Sequence, residues 1–189
     1  YAACREAGVS HVDVGHAMLS FGGLEHRMQQ VAKTEMIAFI NDSKATNAEA
    51  AANSLRAFDT IYWIAGGIAK EGGIDSLSEF FPKIEKSYLI GASADDFASV
   101  LEAKGQGYTL CGTLEKAFAE AYADAKKAAK PATVLLAPAC ASFDQFDSFE
   151  QRGTVFTELA QKAASENKES DQKNAPASGE KRDAASAQG

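Results

Sequence analysis

No run of lysine or arginine occurs in the 189 residues, and the formal net charge is −7. That excludes a surface built to neutralise a row of phosphates, and with it a nucleic-acid-binding role. No apolar stretch approaches the roughly 20 residues that cross a bilayer, so no membrane partner is expected. Cysteine is scarce. Cys4, Cys111 and Cys140 are odd in number and far apart, which suits a reducing compartment and offers no metal-ligand spacing. A cytoplasmic location is the expectation. The phosphate-cradling pattern GxxxxGK[ST] is missing as well, so the chain carries no P-loop of its own. It opens at Tyr1 with neither an initiator methionine nor a signal-peptide pattern, and therefore reads as a fragment. From Ser165 to Gly189 there is no Val, Ile, Leu, Met, Phe, Tyr or Trp. Burial cannot offset the ordering entropy of such a segment, and residues 165–189 are expected to be a disordered tail.

What remains is rich in core material: 46% of residues are apolar and 24% charged, the balance of an ordinary globular domain. Apolar runs alternate with helical patterns. Strands are predicted over Met28–Lys33, Met36–Ile40, Thr60–Ala65, Ser87–Ile90, Tyr108–Leu110 and Thr133–Ala137. The runs Ile61-Tyr62-Trp63-Ile64 and Val134-Leu135-Leu136 are continuous, which marks strands buried on both faces of a parallel sheet. Helices are predicted over Asn47–Phe58, Ser76–Phe81, Ala94–Lys104, Leu114–Lys130 and Phe149–Ala164. The pairs Thr46/Glu49, Ser76/Glu79, Ser93/Asp96 and Ser142/Gln145 have capping-box spacing. The alternation predicts an α/β fold, an open, doubly wound, mostly parallel sheet, over residues 25–164. Residues 1–24 fit it poorly and are expected to be two short helices, around Ala2–Ala7 and Asp13–Phe21, left from a preceding domain.

Ligands of such sheets sit beyond the carboxyl ends of the strands. The run "FINDSKATNAEA" at 39–50 ends a buried strand there with Asn41-Asp42-Ser43-Lys44. The other loops at that end are Gly66–Gly73, Gly91–Ser93 and Pro138–Gln145. Lys44 and Lys70 bring positive charge and helix starts add partial charge, so the assembled site suits a carboxylate or a phosphate. Plainer readings stand beside this one. Thr46 and Ser142 are adequately explained as helix N-caps, Lys70 as a solvated loop lysine, and His26-Arg27 as a surface pair at a domain junction. His11 and His16 point to different helix faces and are weak metal candidates.

Four blocks in order carry a resemblance. They are Leu24-Glu25-His26-Arg27, Asn41 through Asn47, Ala65-Gly66-Gly67 with Lys70, and Pro138 through Phe146 followed by Phe149-Glu150-Gln151-Arg152-Gly153. Together they resemble the carboxy-terminal domain of the Mur ligase family, in the MurD branch that adds D-glutamate to UDP-N-acetylmuramoyl-L-alanine during peptidoglycan synthesis. The resemblance runs from Tyr1 to about Ala164. It implies a Rossmann-like domain that closes over a central ATPase domain, whose last helices are residues 1–24. The implied reaction uses ATP and Mg2+ to activate a carboxylate as an acyl phosphate, which the D-glutamate amine then attacks.

The same resemblance implies roles. Thr46, Lys70, Ser142 and the Phe149 backbone look like the D-glutamate site. Arg27, Asp42 and His26 look like the nucleotide side, with Arg27 toward terminal phosphate and Asp42 toward ribose. Lys44 and Arg152 look like further catalytic residues. The P-loop and the main magnesium ligands would lie in the absent central domain, as would contacts to the UDP-substrate, and the protein is expected to be a monomer. Glu25 departs from the proline the family often has there. A reading of another class remains open: a catalytically silent α/β domain that binds a small anion or a protein partner.

Overall fold

The computed structural model describes residues 1–21 and 23–174, with side chains placed to residue 168. Two helices come first, α1 (Ala2–Glu6) and α2 (His11–Ser20). They bury only Val14 and expose Tyr1, Val12, Met18, Leu19 and Phe21. After them the strands run β1 (Gln29–Lys33), β2 (Ile37–Asn41), β3 (Ile61–Gly66), β4 (Ile68–Ala69), β5 (Ile84–Ile90), β6 (Tyr108–Gly112), β7 (Ala132–Leu136) and β8 (Cys140–Ala141). The helices are α3 (Ala48–Ala57), a 3-10 helix (Asp75–Lys83), α4 (Ala94–Ala103), α5 (Leu114–Ala128) and α6 (Phe149–Asn174).

Six strands form one sheet in the order β1-β2-β7-β3-β5-β6, parallel except for β1. The predicted α/β sheet is therefore present. The continuous apolar runs sit at its centre, where every residue of β3 and β7 is buried. One face packs Trp63, Leu89 and Leu135 against Leu55, Phe80, Phe97 and Leu101. The other packs Phe39, Ile64 and Leu136 against Phe118, Ala121 and Phe156. Trp63 can be fully buried because its indole N–H donates to the Ala137 carbonyl at 2.8 Å.

Local signals were overridden in four places. Asn47, not Thr46, caps α3, its Oδ1 accepting from Ala50 N at 2.8 Å. The segment around Ser76 and Glu79 winds as a 3-10 helix without a side-chain cap and holds Pro82, which cannot donate. The Ser93 hydroxyl leaves its own helix and accepts from Ala69 N at 2.9 Å. Ser142 starts no helix. Cys140-Ala141 pairs antiparallel with Ile68-Ala69, a two-residue ladder that sequence periodicity cannot reveal, and Ser142 O then closes a turn by accepting from Gln145 N and Phe146 N.

The helix α6 runs on to Asn174, ten residues past its expected end at Ala164, while residues 175–189 lie outside the described residues. Glu, Lys, Gln and Ala keep a helix going from an anchored start even where little is buried. Tyr122 Oη also reaches Asn167 Oδ1 at 3.4 Å.

Candidate functional site

β7 enters the sheet between β2 and β3. That insertion brings three carboxyl-end loops side by side, because Leu136 lies opposite both Asn41 and Ile64. The loops are stitched by backbone bonds: Asp42 N donates to Leu136 O at 2.8 Å and Gly66 N to Pro138 O at 2.9 Å.

The loop after β2 is held by its own side chains. Asn41 is fully buried, and its amide donates to Gly153 O at 2.8 Å and Thr157 Oγ1 at 3.0 Å, with His26 Nδ1 at 3.1 Å. Its Oδ1 accepts from Ser43 N at 3.1 Å. His26 sits so close to α6 that a Cβ at Gly153 would lie 2.3 Å from its Nδ1, so only glycine fits there. Asp42 Oδ1 accepts from Met28 N at 3.2 Å, and Oδ2 accepts a short bond from Ser54 Oγ. Burial raises the Asp42 pKa, against the opposing pull of Ser54, Met28 N and Arg27. Lys44 Nζ lies 3.8 Å from the centroid of the Phe149 ring, a cation–π contact.

Arg27, Asp42 and Lys44 line one cavity of about 270 Å3, together with Met28, Ala45, Ala50 and Asn53. Arg27 is exposed and Lys44 half-buried. Ion pairs among the described residues are Lys83–Asp59, Lys86–Asp124 and Lys130–Glu85, all elsewhere. The cavity thus presents two cations without salt-bridge partners beside one carboxylate, a set that suits a phosphate attached to a hydroxyl-bearing group.

Lys70 lies apart from that cavity. It is exposed and lines two others, one of about 310 Å3 with Asn47, Glu49, Glu71, Gly73 and Ala139, and one of about 480 Å3 between the 68–75 loop and α4. Thr46, half-buried, is the chain neighbour of Asn47 at the first of these. Ser142 lines neither and is buried to 2% exposure beyond β8. The expected D-glutamate residues are therefore not gathered into one cavity.

Arg152, expected as a catalytic residue, is enclosed at 1% exposure. Its Nε donates to Ser43 Oγ at 3.0 Å, and its Nη2 to the carbonyls of Ser43 at 2.9 Å and Cys140 at 3.1 Å. Ser43 Oγ in turn donates a hydrogen bond to Phe149 O at 2.8 Å. Arg152 is thus a clamp joining the loops after β2 and β7 to the start of α6. Burial lowers its pKa to about 10, and Nη1 has no hydrogen-bond partner.

Sequence reasoning passed over Ser54, Gly153 and Thr157. Ser54 had a readable signal, a hydroxyl on the core-facing stripe Ala51-Ser54-Leu55 of α3. Gly153 stood in the resembling block 149–153 without a role attached, and Thr157 had no signal, since their partners in the loop after β2 are more than a hundred residues away.

Comparison with known proteins bears on the family and the fold. Residues 26–140 match the family described as Mur ligase, glutamate ligase domain. A protein of Rhizobium meliloti (strain 1021) named UDP-N-acetylmuramoylalanine--D-glutamate ligase is 57% identical over 156 residues, 82% of this chain and 34% of that protein. Proteins of the same name from Agrobacterium fabrum (strain C58) and Caulobacter vibrioides (strain NA1000) are 53% and 52% identical, over 87% and 82% of this chain and 35% and 33% of their own length. The chain spans about a third of the length of these relatives. Among solved structures, UDP-N-acetylmuramate-alanine ligase MurC from Thermotoga maritima superposes with a TM-score of 0.59 at 14% identity, over 86% of this chain and 36% of that one, a likeness of fold. No described helix is long and apolar enough to cross a membrane.

Proposed function

We propose, from the premise that the chain belongs to the Mur ligase family, that it is the closing domain of an ATP-dependent ligase that joins D-glutamate to UDP-N-acetylmuramoyl-L-alanine. The observation that carries this reading is the cavity of Arg27, Asp42 and Lys44, with two cations that lack salt-bridge partners and a carboxylate beyond the carboxyl end of β2. ATP would supply the phosphoryl group that activates the carboxylate of UDP-N-acetylmuramoyl-L-alanine as an acyl phosphate, releasing ADP, and the D-glutamate amine would then displace phosphate to form the amide. Arg27 offers a planar fork for phosphate oxygens, and Asp42 accepts from sugar hydroxyls. Lys44, steadied on Phe149, neutralises charge that builds at the reacting carboxylate.

D-glutamate binds across the neighbouring loops. Lys70 provides the point charge, and Thr46, Ser142 and the Phe149 backbone provide fixed polar contacts. Lys70 has to swing toward Ser142 as the domain closes, which its exposure permits. Arg152 positions Ser43 and Phe149 rather than touching substrate. Magnesium and the UDP-substrate fall to the rest of the protein, which works as a cytoplasmic monomer. Among the described residues no group of three or more His, Cys, Asp or Glu could hold a metal ion. Residues 1–24 are read as the last helices of the central domain, which would cover Met18, Leu19 and Phe21. A silent anion-binding domain is not favoured, because relatives matching most of the chain are named ligases.

The test is Lys70→Ala in the full-length protein. Losing a charge-assisted contact of about 1.5–3 kcal/mol raises the Michaelis constant for D-glutamate roughly ten- to a hundredfold and leaves that for ATP nearly unchanged. Unchanged D-glutamate saturation would remove Lys70 from the site.

A further inference from the structure

Ser54 lies on α3, twelve residues past Asp42 and outside the cavity that Asp42 lines. It is fully buried in the stripe Ala51-Ser54-Leu55, where an apolar side chain would be expected. Its hydroxyl donates to Asp42 Oδ2, while Met28 N donates to Oδ1 at 3.2 Å. The carboxylate is therefore gripped at both oxygens, from α3 on one side and from the 26–28 segment on the other. Each oxygen has one lone pair engaged and one left for a ligand donor. Asp42 lines the cavity, and a carboxylate with acceptor capacity left on each oxygen is matched to two adjacent hydroxyls, the pattern of a ribose diol.

We propose that Ser54 is a positioning residue that aims the Asp42 carboxylate at the sugar hydroxyls of the bound nucleotide. The proposal rests on the reading of Arg27, Asp42 and Lys44 as a nucleotide site. Ser54 touches no ligand itself. Without its hydroxyl, Oδ2 loses its protein donor and the carboxylate is free to turn about its last torsion, which is broad and soft. Asn53, the preceding residue on the same helix, lines the cavity directly.

Steady-state kinetics of the full-length protein decides this with three variants. Ser54→Ala should raise the Michaelis constant for ATP roughly five- to twentyfold, less than a full lost charge-assisted contact because Met28 N still holds Oδ1. Turnover and the D-glutamate constant should stay within about twofold, because the contact is made equally in ground and transition states. Ser54→Thr keeps the hydroxyl and should recover most of the loss. Asp42→Asn should raise the ATP constant at least as much as Ser54→Ala. Should Ser54→Ala fail to fold, Ser54→Cys, a close isostere with a weaker donor, should show a smaller rise in the same constant. A normal ATP constant in Ser54→Ala alongside a raised one in Asp42→Asn overturns the positioning role and leaves the nucleotide site intact. A normal ATP constant in Asp42→Asn overturns the nucleotide site itself, and the role of Ser54 with it.

Discussion

The loops after β2 and β3 occupy equivalent places, each leaving the carboxyl end of a buried parallel strand beside β7, yet they are held in opposite ways. The first is fixed by side chains. Asn41, Asp42 and Ser43 are all buried, and each bonds to a segment distant in sequence. The second is fixed by backbone approach at its start and by almost nothing at its tip. A Cβ at Gly66 would lie 2.0 Å from Ile90 O, and one at Gly67 2.2 Å from Ala141 O, so two glycines admit the crossing of neighbouring strands. Beyond them Lys70 and Glu71 stand in solvent. A site can thus be rigid where a ligand docks on a finished surface and loose where the ligand must complete it. On the proposed reading, the nucleotide side is of the first kind and the D-glutamate side of the second.

Gly67→Ala attacks the fixed base of the second loop and should have the largest effect. Its φ of +127° disfavours any side chain, and the obstructing atom is backbone. Strain and overlap together should cost about 3 kcal/mol or more, read as a lowered thermal midpoint or failure to accumulate folded protein. Asn41→Ala attacks the first loop. It would strand Ser43 N and take a donor from Gly153 O and Thr157 Oγ1, which keep their bond to each other, and should cost about 2 kcal/mol by denaturant titration. Gly72→Ala should be mildest, at about 1 kcal/mol. That residue also has positive φ, +88°, but nothing lies within 4 Å of the added carbon, so only backbone strain is felt. Equal costs for Gly67 and Gly72 would erase the distinction between fixed base and loose tip.

Much of this was legible in the sequence, for a physical reason. Continuous apolar runs such as Ile61–Ile64 report burial on both faces directly, and burial on both faces means a central parallel strand. The polar break at Asn41–Lys44 likewise fell at a cavity, which Asp42 and Lys44 line, while Asn41 and Ser43, before and between them, serve to hold the loop. Cap assignments did worse. Thr46 and Ser142 had the right spacing, but Asn47 competed successfully for α3, and pairing with Ile68-Ala69 drew Cys140-Ala141 into a strand. Arg152 shows the limit most clearly. A motif can say that an arginine belongs near the site, but only its bonds to Ser43 and Cys140 show that it braces the loops from behind.

Amide hydrogen exchange on the full-length protein, followed across both loops with and without D-glutamate in the presence of nucleotide, tests the central contrast most directly. The account predicts that the amides of Asp42 and Ser43, bonded to Leu136 O and Asn41 Oδ1, exchange slowly in both conditions. Those of Lys70 to Gly72 should exchange quickly without D-glutamate and slow markedly when it is added. Slow exchange at Lys70 to Gly72 before D-glutamate is present, or no change on adding it, would contradict a second loop completed by its ligand.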